Sequence, residues 1–243
     1  MMKVIKDFLF YNIGENMKWT IDKQFSFCYG HRVWSQQLEH EYCEKNDTNT
    51  KCRHLHGHEG LVHVYLESDT LERGMVTDFK HLGWLKNVLD DVIDHKFIID
   101  LHDPHFEKII NGHISGQMRL GPTGHPIPDD FITIEHLTLE RGNGQNRYLP
   151  LIPITVSGVD KVLGYRVDTN ASYSLRPEVE LFVEGPEKEF YDGFVIVDFV
   201  PTSENLCKWL FETVSQKMSN LGIKVSKLDW WETPKSRSSI SAE

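Results

Sequence analysis

The sequence contains no long hydrophobic run and no excess of positive charge. None of its apolar stretches approaches the roughly 20 residues that a membrane-spanning helix needs. The N-terminal segment has a short apolar patch that polar residues follow at once, without a small-residue cleavage site, so we expect no signal peptide. The formal net charge is −10, whereas a general nucleic-acid binder needs a basic face to neutralise phosphates. We therefore expect neither a membrane nor a nucleic acid as partner.

Cysteine is also scarce in this chain of 243 residues. The four cysteines, Cys28, Cys43, Cys52 and Cys207, are too few and too scattered for a disulfide scaffold, which predicts a reducing, cytoplasmic setting. The acidic balance still permits a small anionic substrate, because a local cluster of Lys, Arg and His can oppose the net field. Histidine is the abundant exception, with 13 residues, and the chemistry is to be sought there.

Hydrophobic alternation predicts two strands, over 18–29 and 59–67, joined by a polar loop over 35–51. Two strands that flank a loop favour an antiparallel pair. A third strand is predicted over 225–233, before a polar C-terminus that we expect to be frayed.

Helical spacing of apolar residues predicts two helices. The first begins near Asp78, and either Asp78 or the preceding Thr77 can cap it; its apolar stripe runs from Phe79 to Val92. The second begins near Thr202 or Ser203, directly after a proline.

The segment 101–195 is rich in Gly, Pro, Asn and Asp, yet it is not a linker. It and its C-terminal border carry short runs typical of strands, FITIEHLTL, RYLPLIPITV, VELFVEG and FVIVDFV. We interpret 101–195 as a strand-rich insertion of unknown role, between the pieces 17–100 and 196–236 of the main domain.

The string CRHLHGH carries the strongest chemical signal. His56 and His58 are two residues apart, a spacing that points both imidazoles to one face of a strand. His31 ends the preceding predicted strand and can supply a third imidazole. Three imidazoles and an open position are typical of catalytic zinc, which acts as a Lewis acid. Without a metal, the same pattern is a pair of surface histidines.

Other residues near these histidines have two interpretations each. The Cys52 thiol can act as a base or nucleophile, or it can be a fourth ligand that closes a structural zinc site. Asp94 can orient His95 for proton transfer, although a histidine at a helix C-terminus is favourable anyway. Glu232 can bind the amino group and ring N–H of a heterocycle, or it can be an exposed strand end.

Six motifs in one order, FSFCYGHR, CRHLHGH, MVTDF, IDHKFI, PTSENL and WET, make the chain resemble the 6-pyruvoyl-tetrahydropterin and 6-carboxytetrahydropterin synthase family. They cover about residues 20–100 and 196–235. The resemblance implies an α+β tunnelling (T) fold, an antiparallel sheet with two helices on one face. It also implies a homo-oligomer, usually a hexamer of two trimers, with active sites between subunits.

The resemblance also implies roles for individual residues. Zinc would be the cofactor, held by His31, His56 and His58. Cys52 matches the catalytic thiol, with Asp94 and His95 as proton-transfer partners. The pterin-anchoring positions match Glu232 and Thr233. Arg32, which follows His31, is a candidate contact for the substrate triphosphate.

Two activities occur in that family, and both consume 7,8-dihydroneopterin triphosphate. One eliminates triphosphate to yield 6-pyruvoyl-tetrahydropterin. The other also releases acetaldehyde and yields 6-carboxytetrahydropterin, on the route to queuosine-type 7-deazaguanine bases. The Cys-x3-His-x-His spacing resembles the carboxy-forming branch, which we favour. The insertion and Glu59, where relatives tend to have Asn or Ser, depart from the family pattern. A non-catalytic pterin- or purine-binding module with structural zinc is the alternative of another class.

Overall fold

The computed structural model describes residues 17–37, 50–110, 151–167 and 186–242. Cys43 and the strands predicted over 131–139 and 179–185 lie outside these residues. No helix in the described part is long and apolar enough to cross a membrane.

Eight strands of the described chain form one sheet, in the order β4-β5-β6-β3-β1-β2-β7-β8. Their bounds are β1 Trp19–His31, β2 His56–Ser68, β3 Lys96–Asp100, β4 Leu151–Ile154, β5 Gly164–Val167, β6 Phe194–Val197, β7 Lys224–Thr233 and β8 Ser236–Ser241. Most pairs are antiparallel, but β3 runs parallel to both β1 and β6. The predicted α+β class is confirmed, with a sheet that is mixed in its centre.

Strands β1 and β2 pair antiparallel along their whole length, from Trp19 opposite Ser68 to His31 opposite His56. Their side chains alternate between two faces. One face is buried and is formed by Phe25, Phe27, Tyr29, Val62, Val64 and Leu66. The alternation read from the sequence therefore matches the two faces of the pair.

The first helical segment consists of a 3₁₀ turn at Phe79–Leu82, the helix α1 at Gly83–Val88 and a π turn at Leu89–Ile93. The Asp78 carboxylate accepts the Lys80 backbone N–H, which confirms the predicted cap. Phe79 does not join the apolar stripe and is 47% exposed. Phe79 is the first residue of the 3₁₀ turn, at the open end of the helical segment, whereas Leu82 and Leu85 are buried.

The long helix, α4 at Ser203–Ser219, begins where the sequence predicts. The Thr202 hydroxyl caps it by accepting the Asn205 backbone N–H at 3.2 Å. Its buried residues share a core cluster with Leu85, Val64 and Trp230. Because both helical segments contribute to this cluster, they cover the same face of the sheet.

The insertion contributes strands β4 and β5, which extend the sheet beyond β6, and the short helices α2 Phe106–Ile110 and α3 Pro186–Asp192. A second core cluster forms there, with Ile99 and Ile196 from the sheet. Neighbours Ile98 and Val195 belong to the first cluster, so this end of the sheet is covered on both faces. The predicted boundary between 195 and 196 falls inside β6.

The C-terminus is ordered, so the expectation of a frayed end is wrong for the described residues. Strand β8 pairs with β7 from Thr233 opposite Ser236 to Lys227 opposite Ser241. Ile240 packs against the main core, and Ser239 donates to the buried Asp229. Backbone pairing and these two contacts stabilise β8, although its polar composition does not predict a strand.

Candidate metal and pterin site

Three histidines meet where β1 ends and β2 begins. His31 lies directly opposite His56, and His58 lies opposite Tyr29. Cross-strand partners share a face, so all three imidazoles point to the side that the helices cover. Donor atoms of the three side chains all lie within 4.8 Å of one another. The register of β1 against β2 and the alternation of side chains therefore bring together the three histidines that the sequence predicts as a metal site.

Hydrogen bonds orient two of these rings. The carbonyl oxygen of Pro201 can only accept, so the His31 Nδ1 that lies 2.6 Å from it carries the proton. By the same argument, His56 Nδ1 donates to the carbonyl of His54 at 2.8 Å. Each Nε2 keeps its lone pair. Such a bond at the far nitrogen is the usual support of a metal-ligating histidine.

Burial favours the neutral form of His31 and His58. It lowers the pKa of His31 to about 4, against the hydrogen bond to Pro201, and His56 and His58 lower it further. Burial also lowers the pKa of His58, with His56 acting in the same direction. Neutral imidazoles are the form that binds a metal ion.

Glu232, near the end of β7, brings a carboxylate to the same place. Its Oε1 lies 3.3 Å from His31 Nε2 and 3.5 Å from His58 Nε2. Burial raises the pKa of Glu232, although His56 opposes the shift. Because His31 is held neutral, this contact is not a simple ion pair. Glu232 instead adds an oxygen acceptor to a group of nitrogen acceptors.

The donor set fits a zinc ion. The Nε2 atoms of His31 and His58 are 3.1 Å apart. Two imidazoles on one tetrahedral zinc, at about 2.0–2.1 Å each, have their nitrogens about 3.3 Å apart. The lone pair of His31 Nε2 and the Glu232 carboxylate oxygen both face His58 Nε2. The only hydrogen that can lie between these acceptors is one carried by His58. A cation satisfies all of them, so this group could hold a metal.

Cys52 lies in the 3₁₀ turn Lys51–Arg53, four residues before His56. Its backbone N–H donates to the Gln36 side chain at 3.0 Å, and its carbonyl accepts the Val33 N–H at 2.7 Å. The thiol is partly exposed. Among the described residues, the group of donors within 4.8 Å holds the three histidines without the Cys52 sulfur. This arrangement favours an open site over a closed Cys/His3 site.

Asp94 and His95 lie on the other side of β1. The Asp94 carboxylate accepts the Cys28 backbone N–H at 2.7 Å and contacts His95 Nδ1 at 2.9 Å. The first of these bonds is the main cause that lowers the pKa of Asp94; burial opposes it and His95 adds to it. Since Cys28 and His31 alternate to opposite faces of β1, one chain does not bring this pair to its own His31.

The remaining predicted residues have local partners. Arg32 binds the buried Asp103 carboxylate, and its Nε donates to the Arg53 carbonyl at 2.5 Å. Arg32 thereby ties the end of β1 to the Cys52 turn and to the first loop of the insertion. The Thr233 hydroxyl accepts the Lys235 N–H at 3.2 Å, within the β7–β8 turn. Triphosphate binding by Arg32 and pterin binding by Thr233 stay predictions.

Sequence reasoning missed three contributors to this region. They are the Pro201 carbonyl, the Asp103 carboxylate and the Cys28 backbone N–H, which binds the Asp94 carboxylate. The only signal for Cys28 was its position three residues before His31 in a strand, which assigns it to the opposite face. For Pro201 and Asp103, which lie 170 and 71 residues from the side chains they bond, there was no local signal.

Comparison with known proteins extends these observations. The family model described as 6-pyruvoyl tetrahydropterin synthase matches residues 20–243. The crystal structure of an uncharacterized protein from Wolinella succinogenes is 36% identical, with a TM-score of 0.67, over 94% of this chain and 100% of that one.

Two curated relatives match shorter stretches. The 6-carboxy-5,6,7,8-tetrahydropterin synthase of Aquifex aeolicus is 43% identical over 99 residues, which are 38% of this chain and 60% of the relative. The protein of the same name from Synechocystis is 38% identical over 88 residues, 34% of this chain and 59% of the relative. The chain thus spans about 60% of the length of these relatives.

Proposed function

The chain belongs to the 6-pyruvoyl tetrahydropterin synthase family, and from that membership and the site we propose that it is a zinc-dependent 6-carboxytetrahydropterin synthase. The proposed reaction converts 7,8-dihydroneopterin triphosphate to 6-carboxytetrahydropterin, acetaldehyde and triphosphate. The observation that carries the proposal is the meeting of His31, His56 and His58 with Glu232 at one point. The names of the curated relatives support the carboxy-forming reaction.

In this proposal the three histidines hold zinc through their Nε2 atoms. Zinc supplies Lewis-acid stabilisation of negative charge that develops on a side-chain oxygen of the substrate. The bonds from His31 to Pro201 and from His56 to the His54 carbonyl keep those rings in the ligating tautomer.

Cys52 is the proposed base that removes a proton from the substrate side chain. Its backbone is held at both its N–H and its carbonyl, in the turn that leads into the strand of His56 and His58. Because the thiol is partly exposed, a substrate can reach it. A thiol outside the ligand set is free to exchange its proton.

Glu232 is the proposed anchor of the pterin ring. A carboxylate can accept two N–H bonds from an aminopyrimidine edge, one at each oxygen. Burial raises the pKa of Glu232, which means that its surroundings in the protein stabilise the charge poorly. The N–H donors of a bound pterin would restore that stabilisation, so binding and ionisation of Glu232 favour each other.

The Asp94–His95 pair is the proposed proton shuttle for a neighbouring subunit. Its position on the face of β1 opposite to His31 supports this assignment, because the pair does not serve its own chain's histidines. We therefore propose a homo-oligomer with composite sites, a hexamer by resemblance.

The direct test incubates zinc-loaded protein with 7,8-dihydroneopterin triphosphate and analyses the products. We expect acetaldehyde and 6-carboxytetrahydropterin in equal amounts. Triphosphate and 6-pyruvoyl-tetrahydropterin without acetaldehyde would assign the sister activity, which the description of the matched family favours.

The same protein can be tested against the non-catalytic alternative. We expect Cys52→Ala to keep its zinc and to lose turnover, because the Cys52 sulfur is not among the converging donors. Loss of zinc from Cys52→Ala would instead indicate a structural site with Cys52 as a ligand. Cys28→Ala is the matched control, since it removes another thiol from the opposite face of β1.

A further inference from the structure

A second group of metal-binding side chains lies outside the histidine site. Cys28, Asp94 and His95 bring a sulfur, a carboxylate oxygen and a ring nitrogen within 4.8 Å of one another. The Cys28 thiol is exposed, and the His95 side chain is 79% exposed. The group is therefore accessible from solvent in the chain as described.

Backbone hydrogen bonds hold this group together. The Cys28 N–H donates to Asp94 Oδ1 at 2.7 Å, and the His95 N–H donates to the Cys28 carbonyl at 2.7 Å. His95, two residues after the π turn that ends at Ile93, has a φ of 58°, in the left-handed region. These contacts place the three side chains beside one another whether or not a ligand is bound.

The group is distinct from the histidine site. Cys28 and His31 are three residues apart in one strand, and their side chains leave the sheet on opposite sides. Phe27 and Tyr29 share the buried face with His31, whereas Cys28 lies on the exposed face. Within one chain, an ion bound at one group therefore leaves the donors of the other free.

The three donors match the preferences of zinc, which binds thiolate, imidazole and carboxylate. Three protein ligands leave a fourth position for water. The exposed His95 ring can turn to meet an ion without disturbing the core. Zinc binding requires the thiolate, so the Cys28 thiol proton passes to the solvent as the Zn–S bond forms.

We propose that Cys28, Asp94 and His95 form a second, accessible zinc site, and that zinc bound there prevents the Asp94–His95 pair from transferring protons. The first half stands on the geometry alone. The second half rests on the proposed function, because it assumes that this pair is the shuttle. Excess zinc would then inhibit the enzyme that zinc at the histidine site activates.

Metal counting tests the site independently of any activity. Metal-free protein is titrated with Co²⁺, which absorbs in the near ultraviolet when a thiolate binds it. We expect two equivalents per wild-type chain, with thiolate absorption on one of them. Cys28→Ser should bind one equivalent and lose that absorption, whereas the control Cys52→Ser should keep both. A single equivalent in the wild type, or thiolate absorption that persists in Cys28→Ser, would overturn the proposal.

Alkylation provides a second readout. In the wild type, the second equivalent of zinc should slow iodoacetamide labelling of Cys28 at least tenfold, measured by peptide mass mapping. Unchanged labelling would show that the thiol binds no metal.

Turnover tests the inhibitory half. In Cys28→Ser we expect unchanged basal turnover and resistance to excess zinc that inhibits the wild type. Equal inhibition of both proteins would reject this half. If neither protein turns over the pterin, the proposed function fails, while the metal count and the labelling still decide whether the second site exists.

Discussion

The two faces of strand β1 carry groups of similar donors in opposite surroundings. On one face, His31 is fully buried among His56, His58 and Glu232. On the other face, Cys28 is exposed beside Asp94 and His95. Burial lowers the pKa of His31 and so favours its neutral form, whereas the Cys28 N–H lowers the pKa of Asp94 and so favours its charged form. One strand thus carries, on one face, a buried group that could hold a metal and, on the other, an exposed group of similar donors.

Removing a buried histidine should have the largest effect, and that effect is on zinc affinity. In His31→Ala we expect zinc affinity to fall by more than about a hundredfold, beyond the effect typical of losing a supporting hydrogen bond. Turnover should fall with it. Zinc content after dialysis and competition with a chelator measure the change. Cys28→Ala should keep the tightly bound zinc, and equal zinc loss from both variants would contradict the separation of the two faces.

Replacing the half-buried Glu232 carboxylate should separate substrate binding from metal binding. In Glu232→Gln we expect turnover to fall about 10²-fold, since a misplaced substrate costs that much. Zinc content should stay within about twofold, because the three histidines remain. Steady-state kinetics and metal analysis check both statements. Glu204→Gln removes the same charge from the first turn of α4 and should have little effect. Strong zinc loss in Glu232→Gln would make Glu232 a ligand.

The buried support of the site can be broken without touching a donor. Asp103 is 1% exposed and pairs with Arg32. Removing the Asp103 carboxylate leaves the guanidinium charge of Arg32 largely buried and without this partner. For Asp103→Ala we expect the free energy of unfolding to fall by about 3 kcal/mol. Urea denaturation measures it. Asp90→Ala, which breaks an exposed pair with Lys86, should change it by about 0.5 kcal/mol at most. Similar losses in both variants would refute the structural role of Asp103.

The smallest expected effect concerns acid stability on the exposed face. The pKa of Asp94 is lowered in the folded chain, chiefly by the Cys28 N–H. Its stabilisation is therefore complete above the unfolded value of about 3.9 and is lost as the pH falls through the folded value. In Asp94→Asn we expect a smaller loss of stability between pH 6 and pH 3 than in the wild type. Denaturation at both pH values tests this, and an identical pH dependence would contradict it.

Much of the main domain could be predicted from sequence because its signals are local. Alternation identified β1 and β2, and the capping residues Asp78 and Thr202 marked both helix starts. The histidine trio followed from strand geometry and one assumed pairing. Errors arose where local signals mislead. Phe79 fits the apolar stripe but is exposed at the start of the helical segment, and β8 formed from polar residues because β7 offered an edge.

The sequence by itself determined which residues share a face, because helix and strand periods depend only on neighbours along the chain. It thereby determined that His56 and His58 point together and that Cys28 points away from His31. Only the tertiary structure decided which distant groups meet them. Pro201 orients His31, Glu232 approaches the imidazoles, and Asp94 binds Cys28. These contacts depend on strand order, register and packing across long separations, which no local period encodes.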